Sequence, residues 1–237
     1  MTTAATSDTR ERMIAAAVDL IAASPGEEFS LRAVCDAVSV KLPTLYHFFG
    51  SKQGLVDAIV EYGFNLYLGQ KSSAESSGDP IQDIRAGWDA HVGFGLAHPG
   101  LYALMYGSVR PGHAPAAQAR PDAMLRRLTA EAEAQGRLVV SSDEAATHIL
   151  ATNVGVTLRQ IVSASPDPGL TESAREGVIA AITGTGAPSE APLAQAIEYA
   201  AAHPDVLGSS ETQLLIEWLR ALAARARGAE RGEARRP

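Results

Sequence analysis

Phe29 to Leu55 reads FSLRAVCDAVSVKLPTLYHFFGSKQGL, two short amphipathic segments on either side of a tight turn. In the first, Leu31, Val34, Cys35 and Val38 follow the i, i+3, i+4, i+7 spacing of one buried helical face. Ser30 stands ahead of it as an N-cap, its hydroxyl placed to accept from a free backbone N–H of the first turn. The chain turns at Ser39-Val40. Pro43 then falls in the first turn of a second segment, where a missing N–H costs nothing. Leu45 and Phe49 lie four apart and face the same core, Gly50 is a C-cap, and Ser51 caps the helix that follows. That helix has Leu55, Ile59, Tyr62 and Leu66 as its inner face.

Upstream, Ile14, Ala17, Val18 and Ile21 mark one more helix, capped at Asp8 or Thr9 and stopped by Ser24-Pro25-Gly26. Three short helices and a longer one within so few residues form a helix-turn-helix pattern, which small helical bundles share. The residues themselves narrow the choice. Thr44, Leu45, Tyr46, His47, Phe48, Phe49, Ser51 and Lys52 stand at the offsets of the DNA-binding domain of the TetR family of repressors, and residues 9–62 resemble that domain. The resemblance implies an all-α protein with a three-helix helix-turn-helix domain at 9–55. A helical ligand-binding and dimerisation domain would follow at 56–226, with disordered tails at 1–8 and 227–237. Two positions depart from the family pattern. Ser39 stands where glycine is usual, a strained choice if φ there is positive. Lys41-Leu42-Pro43 replaces a small polar first turn, which alters the bases read rather than whether DNA is bound.

The resemblance implies that Tyr46 donates its phenol to a phosphate and that Lys52 clamps one; the alternatives are a half-buried structural tyrosine and a solvated lysine. Thr44 offers a hydroxyl near a helix N-terminus, where backbone N–H groups also favour phosphate. Ser30 and Arg32 are possible additional contacts. Such contacts position the module without reading sequence. Base reading falls to Lys41, Leu42, Pro43 and His47: lysine can meet guanine O6/N7, and the apolar pair can touch a thymine methyl. His47 equally suits a phosphate.

Charge argues for restraint. The net charge is −7, and residues 1–60 hold five basic residues against seven acidic ones. Non-specific affinity for a polyanion should therefore be weak. Cys35 is the single cysteine, so no intrachain disulfide forms; it reads as a small buried apolar residue. No apolar run is long enough to span a membrane, and the N-terminus lacks a signal-peptide core, so a cytoplasmic location is expected. Nucleophile-elbow, P-loop, zinc-protease and dinucleotide motifs are absent, which speaks against an enzyme, a metal site or a cofactor. Glu144 and His148 are one turn apart and read as a solvated pair rather than metal ligands.

Beyond a loop at Lys71–Pro80, the periodicity predicts helices at about 81–97, 99–107, 121–135, 143–163, 171–184, 190–202 and 210–226. A Gly/Pro/Ala segment from Gly107 to Pro121 reads as mobile. His98 to Gly107 (HPGLYALMYG) resembles a segment of the C-terminal domains of one TetR subgroup. Trp88, His91, Phe94, Tyr102, Met105 and Tyr106 are the soft, polar-tipped side chains that line small-molecule pockets; a plain helical core is the alternative. Asn153 and Thr157, one turn apart on a mostly apolar helix, would face the same pocket. Helix 143–163, with Ile149, Val154, Val156 and Ile161, is expected to pair with a partner copy. Either the last helix (Leu214, Leu215, Trp218, Leu219, Leu222) or helix 171–184 would accompany it. The expectation is a homodimeric regulator bound to operator DNA and released by a small-molecule effector. The alternative is a ligand-binding or scaffold protein of the same fold without specific DNA recognition.

Overall fold

The computed structural model describes residues 2–71, 76–107, 115–163, 166–185 and 190–220, all helix and connection with no strand among them. The chain divides into two compact units, Met1–Thr183 and Gly184–Pro237. In the first unit the order is α1 (Thr2–Ala23), α2 (Leu31–Ala37), α3 (Leu42–Phe49), α4 (Lys52–Lys71), α5 (Pro80–Ala97) and α6 (Pro99–Gly107). A 3-10 turn at Ala116–Gln118 leads into α7 (Ala119–Ala134), then α8 (Ser142–Ser163) and α9 (Pro168–Thr183). The second unit holds α10 (Glu190–Ala202), α11 (Pro204–Leu207) and a helical stretch at 209–220. Residues 221–226 of the expected last helix, the 227–237 tail and residues 108–114 of the Gly107–Pro121 segment lie outside the described residues.

Helix α1 starts at Thr2 rather than at an Asp8 or Thr9 cap, so all but the first residue of the expected 1–8 tail is helical. Met13, Ile14, Ala17 and Ile21 of this helix are buried against Val34, Cys35 and Val38 of α2 and Leu45 of α3. Ser30 caps α2 by accepting from the Ala33 N–H. Val40 N–H reaches back to the Cys35 carbonyl at 2.9 Å, which closes the turn. That turn forces Ser39 to φ 57°, the one positive-φ residue other than glycine among the described residues.

Helix α4 departs from its expected inner face. Tyr62 is exposed, while Val60, Phe64 and Tyr67 are buried with Leu55 and Ile59. The reason is the number of partners: α4 packs on α1, α3, α5 and α6, so its buried surface is a broad band rather than one stripe. Gly54 lets this helix start directly against α3, because a Cβ there would sit 2.0 Å from the Phe49 carbonyl oxygen.

A second core lies farther along the unit: Ile81, Ile84, Trp88 and Val92 of α5 meet Ala132 of α7, Ala145 and Ile149 of α8, and Ile179 and Ile182 of α9. At its edge, Arg85 grips Glu176 through two guanidinium nitrogens, at 2.8 and 3.1 Å, and Arg175 pairs with Asp89 at 2.6 Å. These ties hold α9 along α5. Paired with two arginines, Glu176 has its pKa lowered to about 2.

The strained turn gives the first prediction. A side chain in the left-handed region costs of the order of 1–2 kcal/mol. Glycine removes that cost but orders a freer chain, at about 0.5–1 kcal/mol. Ser39→Gly should therefore raise the unfolding free energy by about 0.5–1 kcal/mol in urea melts. A loss of stability would show that the turn is not strained.

Candidate DNA-reading face and effector cleft

Helix α3 buries Leu45 and turns Tyr46 and His47 to solvent. Lys41 at its N-cap position and Pro43 in its first turn are also exposed; Leu42 and Thr44 are half-buried at the margin. Leu42 packs on the core below, so it has less surface to offer a base than Lys41 or Pro43. Ser30 and Arg32 at the start of α2 and Lys52 at the start of α4 are exposed as well. Ser51 caps α4 by accepting from the Gly54 N–H at 3.0 Å. Thus seven of the nine residues expected to touch DNA are exposed, all on α2, α3 or their flanks.

Lys52 is not idle in the absence of DNA. Its ammonium donates to Glu28 Oε2 at 2.9 Å and lies 6.0 Å from the Phe29 ring centre. The lysine in turn lowers the pKa of Glu28, first through the hydrogen bond and then through its charge. One of three ammonium donors is used and the side chain is 45% exposed, so a phosphate at Lys52 would compete with this carboxylate rather than find a bare cation. The local excess of acid read from the sequence therefore has a specific place in the structure.

The cleft lies in the second half of the unit, between α4, α5, α6, α7 and α8. Tyr67 of α4, Trp88 and His91 of α5 and Tyr106 of α6 supply aromatic walls. Asp83 and Gly87 of α5, Pro121, Asp122, Leu125 and Leu128 of α7, and Ile149, Leu150 and Asn153 of α8 complete the lining. The cavity itself is small, about 40 Å3, and opens into about 480 Å3 of empty space when the solvent at its mouth is counted. Four of the eight residues expected at a ligand are here: Trp88, His91, Tyr106 and Asn153. Phe94, Tyr102, Met105 and Thr157 are not in the lining. They are buried beneath it, Phe94, Tyr102 and Met105 in the core shared with α1 and α4.

These buried residues connect the cleft to the rest of the unit. His91 Nε2 and the Tyr102 hydroxyl are 2.6 Å apart. The Thr157 hydroxyl donates to the Asn153 backbone carbonyl at 2.8 Å, and the Asn153 amide donates to the Trp88 carbonyl at 3.3 Å. Gly95 permits this packing, since a Cβ there would meet Thr157 at 2.2 Å and Tyr102 at 3.0 Å. Burial pushes the Tyr67 phenol up to about 12, and the Tyr102 and Tyr106 phenols higher still. All three are neutral hydrogen-bonding groups at physiological pH.

Two polar groups of the lining stand apart. The indole N–H of Trp88, a residue only 2% exposed, has no hydrogen-bond partner. Leaving such a buried donor unmet costs about 1–3 kcal/mol. The Asp122 carboxyl has its pKa raised, because burial outweighs its hydrogen bond to Gln118 and the charge of Arg126. Sequence reading missed Tyr67, Asp83 and Asp122. Asp122 lies in the first turn of α7, where an acidic residue reads as ordinary helix-end chemistry.

Helix α6 joins the two sites. Gly100 sits directly on the end of α1, where a Cβ would be 2.8 Å from the Ile21 carbonyl oxygen. Farther along, Gly63 of α4 accepts Leu101 and Met105 in close contact. The residue that follows Met105 is Tyr106, in the cleft wall.

A helix-turn-helix with an outward second helix, continuous with a helical body that holds a cleft, defines the class of DNA-binding regulators that sense small molecules. Residues 13–59 match the family of bacterial regulatory proteins, tetR family. No curated protein matches the sequence. Among solved structures, a protein of unknown function from Rhodococcus sp. RHA1 superimposes with TM-score 0.62 at 23% identity, covering 74% of this chain and 95% of that one. A TetR-family transcriptional regulator from Agrobacterium tumefaciens gives 0.57 at 22% identity, with 75% and 99% covered. RolR in complex with resorcinol gives 0.58 at 16% identity, with 75% and 88% covered. At these identities the likeness is one of fold.

Two predictions follow from the geometry. Glu28→Gln frees Lys52, so binding to non-specific DNA should tighten by about two- to five-fold at 0.1 M salt. The slope of log K against log salt should steepen by about one, because no carboxylate is left to take up a cation when Lys52 turns to a phosphate. An unchanged slope would mean that Lys52 does not reach phosphate. Asp122→Asn should raise the Tm at pH 7. The raised native pKa means that the folded state takes up a proton more readily than the unfolded one. The native protein therefore gains stability as pH falls through that pKa, and the advantage of the variant should shrink over the same interval.

Proposed function

We propose that this protein is a homodimeric repressor, released from a palindromic operator by a small molecule bound in the α4–α8 cleft. The observation that carries the reading is the seat of Gly100 on Ile21: the DNA-reading module rests on the helix that also walls the cleft. Each subunit would place α3 in a major groove, with Lys41, Leu42, Pro43 and His47 toward base edges. Ser30, Arg32, Thr44, Tyr46 and Lys52 would meet the backbone. Half-site centres would lie about 34 Å apart or a multiple of it.

Displacing Tyr106 would move α6, and α6 would carry α1 with it. The conformer with displaced α6 holds its two reading heads at the wrong spacing. A ligand favouring that conformer about 100-fold would weaken the operator complex by up to the same factor, about 2.7 kcal/mol. Operator would weaken ligand binding equally. RolR, of the same fold, holds resorcinol, a precedent for an aromatic ligand.

For the dimer, α8 is the expected contact. Ile149 is committed to the subunit's own core, whereas Val162 near the C-terminus of α8 and Leu170 on α9 are exposed. In the second unit, Leu214 and Trp218 of the 209–220 stretch are exposed as well, while Leu222 lies outside the described residues. The proposed limits are 9–55 for the reading domain and 56–226 for the ligand and dimer domain.

The test is binding to DNA from upstream of the protein's own gene, against scrambled DNA, at low and near-physiological salt. A preference of at least about 10³-fold, lost in the Tyr46→Phe/Lys52→Ala double variant, is expected. Equal, weak and salt-sensitive binding to upstream DNA and to a genome-wide selected pool would instead favour a ligand-binding protein of this fold. The Lys52–Glu28 pair is the observation on that side.

A further inference from the structure

The lining of the cleft is chemically one-sided. It contains two carboxyls, Asp83 and Asp122, and no lysine or arginine among the described residues. Asp83 stays ionised, since the hydroxyls of Ser76 and Ser77 and the Ser77 N–H donate to it and hold its pKa down. Asp122 hydrogen-bonds to Gln118, while Arg126, one turn on, is engaged with Asp143. The nearest cation is thus already shared. The walls are aromatic: Tyr67 packs edge-on against His91, and His91 against Tyr102. The Trp88 indole N–H, nine-tenths and more buried, is unmatched.

We propose that the cleft takes a small aromatic amine, bound as its ammonium ion, and rejects aromatic carboxylates of the same size. The ammonium lies at Asp122, where it replaces solvent as the partner of a half-buried carboxyl. The cavity of about 40 Å3 is smaller than the ~150 Å3 that holds a benzene ring, so the ring enters by displacing Tyr106 and then lies against Tyr67 and Trp88, whose faces attract a cation and whose edges pack on a ring. An acceptor on the ligand, a hydroxyl or a ring nitrogen, meets the Trp88 N–H. A carboxylate in the same place would face two like charges with no counter-ion, while leaving its desolvation uncompensated. This rests on the reading of the cleft as the effector site, and it adds the sign of the effector's charge.

The experiment uses the full-length protein and pairs of probes with the same ring and opposite charge: tyramine against 4-hydroxyphenylacetate, and tryptamine against indole-3-acetate. Isothermal titration at pH 7 should show the amine of at least one pair binding about ten-fold or more tightly than its carboxylate. Asp122→Asn should erase that preference, and Trp88→Phe should weaken the two hydroxylated probes, which carry an acceptor, without changing the order. Because Trp88 is a core residue and its variant can unfold, Asp122→Asn is the deciding variant, with its Tm measured alongside. Carboxylates that bind as tightly as the amines overturn the proposal. So does an Asp122→Asn variant that keeps the preference, or a failure of both amines to bind at about 1 mM.

Operator release is read separately by fluorescence anisotropy of labelled upstream DNA. An amine that binds without releasing DNA upholds the charge selectivity and overturns the regulatory reading. A carboxylate that releases DNA overturns the charge selectivity and leaves the regulator intact.

Discussion

The close seat of α6 on α1 is the constraint on which the other features depend. Gly100 brings the α6 backbone against the Ile21 carbonyl without an intervening side chain. Backbone packed on backbone leaves no rotamer to absorb a shift, so the two helices move together or separate. Gly63 makes the second close approach, where α4 meets Leu101 and Met105. One short helix thus holds the three-helix module through α1 and the adjoining α4 through Gly63. The same helix presents Tyr106 to the cleft. Interiors packed this tightly transmit displacement rather than damping it.

The polar chain under the cleft complements this arrangement. His91, Tyr102, Thr157, Asn153 and the Trp88 carbonyl join α5, α6 and α8 through hydrogen bonds in a region shielded from water. Such bonds are stronger where the dielectric is low, and each broken one leaves a costly unmet group. Thr157 and Tyr102 therefore matter although neither lines the cleft. They fix the angle of α6 relative to its neighbours, the angle that the proposed effector mechanism would change.

The reading module was legible in the sequence because its core is local. Leu31, Val34, Cys35, Val38 and Leu45 are spaced by helix geometry within a short stretch, and each is buried or half-buried. A strained Ser39 is implied only conditionally, from the glycine that the family resemblance puts at that position, and the turn does hold it at φ 57°. The cleft was legible only in part. Trp88 and His91 sit on one helix face, one turn apart, and that spacing can be read. Tyr67 and Asp122 reach the cleft from helices that periodicity describes well but cannot orient, because α4 and α7 each pack on several partners. Phe94, Tyr102 and Met105 share the character of pocket residues, but they fill the core shared with α1 and α4. Chemical type alone does not separate these two uses. The start of α1 was misplaced for a similar reason: Thr2 to Ser7 offers no apolar period, so nothing in the pattern distinguishes helix from tail.

The carboxylate of Glu28 beside Lys52 has a consequence for how such a protein distributes itself in a cell. A genome offers some millions of irrelevant sites, and a reading module with unopposed lysines would spend most of its copies on them. An internal partner for Lys52 taxes every encounter equally, specific or not, but only a correct operator returns enough contacts to repay it. On the proposed reading, the fraction of copies not held on irrelevant DNA would then be larger than unopposed lysines would allow.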